Sequence, residues 1–524
     1  MVGLLVASLS LAQDISGERI RAHLKFLASD LLEGRGVGVR GGDLTTEYIA
    51  SQFAVAGAKP AGPGGAWFQP VQLVGVATEP GSTLSAPGVN FAWGSEYTGH
   101  TLRQIAEDSF DAEAIFVGHG ITAPEFGWDD YAGIDVRGKV VVLYTNEPPS
   151  EDPKFFGGPA LTYYGRWTYK YEQALRKGAA ACLILHTTPT AGYGWDVVRN
   201  SWGREDFQVK LAGPGLSFAG WLTEEAGARL VGPAGFKLEE LLKKANAKGF
   251  QAIPLGIRIR GNIRSRTREI STRNVAAILR GSDPAVNGEA VIYSAHWDHL
   301  GKNDSAAGDG IYNGAVDNAS GSAMMLEIAR AWADLPTKPR RSALFLSVTA
   351  EESGLLGSAY YAANPLIPVE KTSLAINYDS IYPFGRTRDA AVEGAQRTTF
   401  WPQIQNIASR FQLALVPDAH PEQGYYFRSD HFSFAKAGIP AFSVMQGTTF
   451  VANQELALSR FKEHSAKNYH QPTDEYKDDW DMANLEHLAR FGMAIGMEAA
   501  NAPAMVRWVE EKKVAASKAK KRNK

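Results

Sequence analysis

The chain has 524 residues, too many for one ordinary core, so two or three domains are expected. Its formal net charge of −2 provides neither a basic field for nucleic acid nor an acidic bias toward cationic partners. The single cysteine, Cys182, excludes an internal disulfide framework and any thiolate zinc site, and its setting in "GAAACLILH" reads as a core thiol.

In chain order, the first residues, "MVGLLVASLSLAQD", look like the apolar part of a secretory signal, with Ser10 and Ala12 spaced as a cleavage site requires. Residues 1–12 are therefore expected to be a signal remnant and the protein to be exported. No later apolar run reaches the length of a membrane span. From Ile15 to about Gly57, "IRAHLKFLASDLLEG" and "DLTTEYIASQFAVAGA" space their apolar residues by three and four, which predicts two helices around a glycine-rich break. Near Asp111 the texture becomes β-rich, with "AEAIFVGHGI", "GKVVVLYT", "AACLILH" and "IPLGIRIRG" separated by Gly, Pro and aromatic loops, as in a small β domain. After about Glu269, strands alternate with amphipathic helices. That rhythm predicts an α/β fold with a mixed, mostly parallel sheet and helices on both faces. The end of the chain, "EEKKVAASKAKKRNK", lacks core residues, so residues 506–524 read as a basic, disordered tail.

Three polar clusters fall at the ends of predicted strands: His296 and Asp298 after "AVIYSA", Glu351 and Glu352 after "ALFLSVTA", and Asp379 after "LAINY". Ligands of open α/β sheets bind at the carboxyl ends of the strands, so the coincidence marks a crevice. In extended chain, His296 and Asp298 share one side, where the carboxylate could orient the imidazole. Asp317 precedes a helix in "NGAVDNASGSAMMLEIA", where alone it reads as an ordinary cap. His470 lies in the turn "NYHQPTDE". Together, His296, Asp317, Glu352, Asp379 and His470 offer nitrogen and oxygen donors in proportions that a zinc pair accepts. His299, His431 and His464 lie near these motifs and are assigned to the surface or to support of the ligands. "GLSFAG" fails as a serine-hydrolase elbow because Ala219 stands where glycine is needed.

These segments resemble the M28 family of co-catalytic zinc peptidases, whose pattern runs through A-H-x-D, D-N-A-S-G, E-E-x-G-x-x-G-S, a post-strand Asp and Y-H. The resemblance covers about residues 269–500, and "SDHFSFAKAGIPAF" adds a further match. One departure is Val316, where many relatives carry a second acidic residue. The stretch "GWDDYAGIDVRGKVVVL" with "ALRKGAAACLIL" resembles a protease-associated domain, and "LKFLASDLLEGRGVG" resembles the family's N-terminal segment. The resemblance implies a zinc-exopeptidase fold divided into an N-terminal peptidase segment (13–110), a protease-associated insert (111–262) and a catalytic domain (263–505).

It also implies two divalent metal ions, most simply Zn2+. His296 and Asp379 would hold one, Glu352 and His470 the other, with Asp317 bridging. Glu351 would act as the general base, Asp298 would orient His296, and Tyr469 would either donate to the oxyanion or pack beside its neighbour. A cis peptide bond is implied after Asp317. The activity implied is that of an exported metallo-exopeptidase acting on peptides, an aminopeptidase first, with a carboxypeptidase or dipeptidase as the close alternative. A glutaminyl-cyclase-like transferase and a noncatalytic binding protein share the scaffold.

Overall fold

The computed structural model describes residues 15–210, 213–304, 306 and 308–509; the expected signal segment lies outside the described residues. Helix α1 (Gly17–Leu27) buries Ile20, Leu24 and Leu27 along one stripe, and α2 (Arg40–Val55) buries Ile49 and Phe53 in the same way. Their apolar spacing of three and four matches the helical repeat, so each helix presents one face to a core. Both pack against helix Gly321–Ala333, far along the chain.

Next come strands β1 (Phe68–Thr78), β2 (Glu107–Phe116) and β3 (Val140–Tyr144), helix α3 (Trp167–Arg176), and strands β4 (Ala181–Leu185) and β5 (Phe218–Leu222). β2, β3, β4 and β5 lie side by side in parallel, and Tyr97–His100 adds an antiparallel edge to β5. Their faces bury two apolar clusters, one around Phe116, Val142, Leu183 and Phe218, the other around Val141, Cys182, Ile184 and Trp221. Cys182 is a buried free thiol, as its neighbours require. Leu84, Phe91 and Tyr97 belong to the first of these clusters, so this body begins its packing well before the expected boundary at residue 111.

The boundary expected at residue 262 also falls elsewhere. "IPLGIRIRG" and "STRNVAAILRG" are the two ends of one strand, β6 (Ile253–Leu279), about 90 Å of chain at a strand's rise per residue. Its first half pairs antiparallel with β2 and its second half with β1, so a single strand joins the two bodies. The pattern permits this because inward Ile259, Ile263 and Ile270 alternate with solvated arginines, two of which pair with Asp111.

The larger body is built on β7 (Ala290–His296), α4 (Gly321–Ala333), β8 (Ser342–Val348), β9 (Thr372–Asn377), β10 (Ala441–Ser443) and α5 (Ala483–Asn501). β7 is parallel to β8 and β9, and β9 to β10, while β6 runs antiparallel beside β8. The mixed, mostly parallel α/β sheet is thus present. Every residue of β7, β8 and β9 is buried, as continuous apolar runs require when both faces are covered. Val291 and Tyr293 pack among α1, α4 and α5, whereas Ala290 and Ile292 pack toward Tyr361 and Phe434.

At the far end the expected tail starts too early. Val506 is buried and Trp508 bridges to Thr398, while residues 510–524 lie outside the described residues. No described helix is long and apolar enough to cross a membrane.

Candidate metal centre

Each predicted site residue arrives at the carboxyl edge of the sheet by a short route. His296 is the last residue of β7, Glu351 and Glu352 follow β8 by three and four residues, and Asp379 follows β9 by two. Asp317 lies in the wound turn Ala315–Ser320 that feeds α4. The Asp317–Asn318 peptide is cis. His470 follows helix Gln454–Lys467. Three non-glycine residues here have left-handed backbone: Ala350 (φ 52°), Ser380 (φ 55°) and His470 itself (φ 57°). Such residues are uncommon and concentrate where a chain must turn sharply to present side chains.

The two carboxylate oxygens of Asp317 face different histidines. Oδ1 is 3.3 Å from His296 Nε2, and Oδ2 is 3.2 Å from His470 Nε2. Asp379 Oδ1 lies 3.3 Å from His296 Nε2, and Glu352 Oε2 lies 3.0 Å from His470 Nε2. Donors bound tetrahedrally to one ion at zinc's usual bond lengths stand about 3.3 Å from each other. The observed spacings are compatible with co-ligands of one ion, as they are with direct histidine–carboxylate contacts. His470 Nε2 supplies a second sign: it is buried and not aligned for a hydrogen bond with either neighbouring oxygen. The five expected ligand residues thus form two groups that share Asp317, and their nitrogen and oxygen donors suit a divalent cation such as zinc.

Charge supports the same reading. Burial disfavours an imidazolium at His296, yet Glu351, Asp379 and Asp317 hold its pKa well above the ordinary value, and His470 is pushed up to about 10 by Glu352 and Asp317 despite its own burial. Asp317 is buried, but its two histidines hold it well below the carboxylate range; Glu352, also buried, is drawn down to about 2 by His470 and His299. Glu351 moves the other way, because burial and the neighbouring Asp379, Glu352 and Asp430 disfavour its charge, while His296 opposes them. Its Oε2 lies 4.0 Å from His296 Nε2, within the same crevice but outside the close donor contacts.

The supporting groups differ from expectation in one detail. His296 Nδ1 is 3.1 Å from the backbone carbonyl of Asp298, whereas the Asp298 carboxylate is 3.9 Å away. That carboxylate instead accepts the backbone N–H of Glu351 at 3.2 Å. A side chain two residues along an extended strand reaches the same side, but the chain turns after His296 and brings the carbonyl closer. His299, assigned only a supporting or surface place, is buried with Nδ1 2.5 Å from Glu352 Oε1, leaving Oε2 for His470. Tyr469 keeps 42% of its surface and stacks on His470 with ring centroids 3.9 Å apart.

Several groups that hold the centre are absent from the sequence-based set. Arg35, fully buried, donates to the carbonyls of Leu27, Trp297 and Gly314, and its other contacts include those of Asn313 and Asp317. One side chain from the helical start thereby ties down the loops carrying His296 and Asp317. Asp474 accepts the N–H groups of Val316 and Asp317, and His464 Nε2 stands 3.1 Å from Asp474 Oδ1. Asp430 is buried beside the acidic groups, and burial pushes its carboxyl up to about 7. Arg35 and Asp474 occur inside quoted stretches, "LLEGRGVG" and "NYHQPTDE", but nothing in their local pattern announces distant partners.

Residues 274–495 match the model of peptidase family M28. Among curated proteins, an aminopeptidase NAALADL1 of Mus musculus is 34% identical over 134 residues, 24% of this chain and 16% of that protein. The leupeptin-inactivating enzyme 1 of Streptomyces exfoliatus is 28% identical over 233 residues, 43% of this chain and 46% of that protein. The chain thus spans less than half the length of these curated relatives. Among solved structures, an aminopeptidase from Aneurinibacillus sp. strain AM-1 superposes with a TM-score of 0.54 at 20% identity, covering 96% of this chain and 98% of that one, which shows a common fold. The strands and turns that carry the five expected ligand residues all lie inside the span, residues 274–495, that matches peptidase family M28.

Proposed function

We propose that the protein is a zinc-dependent aminopeptidase with two divalent ions, His296 and Asp379 holding one, Glu352 and His470 the other, and Asp317 shared between them. The observation that carries this is the division of the Asp317 carboxylate, one oxygen toward each histidine. When bound, such ions supply Lewis acidity toward a peptide carbonyl and lower the pKa of water at the site. The residues of the chain do the rest. Glu351 sits beside the cluster without joining its close contacts, so it is placed to accept a proton from the attacking water and return it to the leaving amine. Burial and carboxylate repulsion raise its pKa, and positive charge held in the crevice would draw it back toward the range useful to a base. Asp298 fixes the direction of Glu351 through its backbone N–H, and His299 fixes Glu352. Tyr469, stacked on His470, walls the crevice at the point where a substrate carbonyl would approach.

The aminopeptidase reading is supported by the names of the relatives, and it is favoured over carboxypeptidase or dipeptidase action on that ground alone. We further propose that residues 111–262, with the strands over 83–100, act as a protease-associated body that walls the cleft, and that the apolar run within residues 1–12 directs export. Fractionation of cells expressing the full chain checks the last point, with the protein expected outside the cytoplasm.

The deciding experiment pairs metal analysis with dipeptide hydrolysis. About two ions per chain and loss of turnover with chelator are expected. A dipeptide with a free N-terminus should be cleaved and its N-blocked counterpart should not. A stable content near one ion favours the cyclase-like alternative, and cleavage that tolerates the N-terminal block but not a C-terminal one would replace the aminopeptidase reading with a carboxypeptidase.

A further inference from the structure

The turn that carries Glu351 and Glu352 is closed at its neck by a side chain from a neighbouring strand. The ladder between β6 and β8 ends with Val275 opposite Ser347. Two residues further, the Thr349 N–H is met by the side chain of Asn274, whose Oδ1 accepts it at 3.0 Å. Asn274 Nδ2 donates to the Gly357 carbonyl at 2.9 Å and to Gln69 Oε1 at 3.0 Å, and Gln69 Nε2 donates to the Asn364 carbonyl at 2.7 Å. One fully buried amide thus joins the residue that enters the turn to the helix Leu356–Ala363 that leaves it, and Gln69 extends the tie to the helix's far end. The two sides of the neck also touch each other, Gly357 donating its N–H to the Thr349 carbonyl at 2.9 Å. A Cβ on Gly357 would stand 2.2 Å from that carbonyl and 2.6 Å from Asn274 Oδ1, so the neck closes only on glycine.

Between the two sides of the neck the chain reverses through left-handed Ala350 (φ 52°) and Leu355 (φ 64°), and Gly354 and Leu355 both donate to the Glu351 carbonyl at 2.9 Å. A turn this short passes any shift of its neck on to its tip. The two glutamates depend on it unequally. His299 and His470 hold the carboxylate of Glu352, whereas that of Glu351 stands 4.0 Å from His296, so its place is set by its own backbone. That backbone is tied on one side by the Asp298 carboxylate, which accepts the Glu351 N–H at 3.2 Å, and on the other by the neck. Thr272 adds a second tie from β6, its Oγ1 lying 2.7 Å from Thr349 Oγ1. A proton acceptor displaced by about 1 Å can lose about 10² in rate, so the neck matters to the chemistry although it touches no substrate.

We propose that Asn274 is a positioning residue for the reaction, which directs Glu351 by clamping the neck of its turn, with Gln69 fixing the orientation of the Asn274 amide. The neck needs an acceptor for Thr349 and a donor for Gly357 from one planar group. Asparagine supplies both, aspartate only the acceptor, and alanine neither. The inference rests on the reading of Glu351 as the base.

The test is a double-mutant cycle on the full chain at saturating zinc, with N274A, E351Q and the pair. N274A alone is expected to lower kcat by about 10- to 100-fold with little change in KM. In the E351Q background the same substitution should change kcat by less than about threefold, because a base that is already gone cannot be misplaced. A residue that only supports the fold would multiply the two losses, and multiplied losses, or wild-type kcat in N274A, overturn the proposal. If N274A is not recovered folded, N274D takes its place in the cycle, with a smaller loss expected in the parent and none in E351Q; multiplied losses there overturn the proposal equally. A second readout needs no activity. Hydrogen exchange of the metal-free chain should quicken over residues 349–357 in N274A and stay unchanged over residues 181–185. Near-normal turnover in E351Q would remove the base reading by itself; the exchange then reads the clamp separately, and an unchanged rate over residues 349–357 overturns it.

Discussion

Asp474 accepts the backbone N–H of Asp317 at 3.1 Å across 157 residues of sequence, and that of Val316 at 3.0 Å. The carboxylate that faces both His296 and His470 is thus held by a buried acid on the turn that also carries His470. Replacing Asp474 with Ala leaves two buried N–H groups without an acceptor. The expected cost is about 1 to 3 kcal/mol in stability, and metal affinity should fall about 10- to 100-fold, the usual result of losing a group that orients a ligand. Chelator competition and thermal melting measure the two effects. Wild-type metal affinity in Asp474→Ala would mean that the turn is held without this contact.

Glu351 and Glu352 are adjacent but should fail differently. Glu352 contacts His470 and His299, whereas Glu351 stands off from the donors at 4.0 Å from His296. Glu351→Gln is expected to lower kcat by about 10² or more while keeping its metal, and Glu352→Gln to release metal. Metal content measured beside single-turnover rates separates them. Near-normal turnover in Glu351→Gln removes it as the base.

Arg35 is buried among backbone carbonyls from three stretches of chain. Arg35→Met keeps much of the volume but strands those acceptors, for an expected loss of about 2 to 4 kcal/mol with reduced metal content. Arg35→Lys should rescue little, because an ammonium cannot span carbonyls arranged for a planar fork. Chemical denaturation of the metal-free protein checks the stability, and recovery of wild-type stability by lysine would show that charge alone matters.

His119 is buried with Nε2 2.8 Å from Asn246 Oδ1, and burial pushes its pKa down from the ordinary 6.5 to about 4. The folded state therefore refuses a proton that the unfolded chain accepts. Its contribution is fully present above pH 6.5 and is lost as pH falls toward 4, by up to about 3 kcal/mol. Half-buried Asp206, pushed up to about 7, acts in the opposite direction over much of that window, so the readout is a difference. Urea denaturation of metal-free protein between pH 7.5 and 4.5 should show the wild type losing ground against His119→Gln as pH falls. Parallel pH profiles would contradict the assignment.

Local pattern in the chain was enough to place α1 and α2, the buried strands β7, β8 and β9, and the five residues at their ends, because apolar periodicity and the polar residues that interrupt it are local signals. The order of motifs then joined His296, Asp317, Glu352, Asp379 and His470 into one set, which spacing alone could not do. The three-dimensional fold decided the rest. It made "IPLGIRIRG" and "STRNVAAILRG" one strand, since two cores can share a strand whose alternation suits both. It replaced the Asp298 carboxylate with its carbonyl at His296 Nδ1, since a turn after the strand moved the carboxylate away. It also brought Arg35 and Asp474 to the crevice from distant parts of the chain. A buried polar group is selected by the partners that surround it, and those partners become neighbours only when the chain has folded.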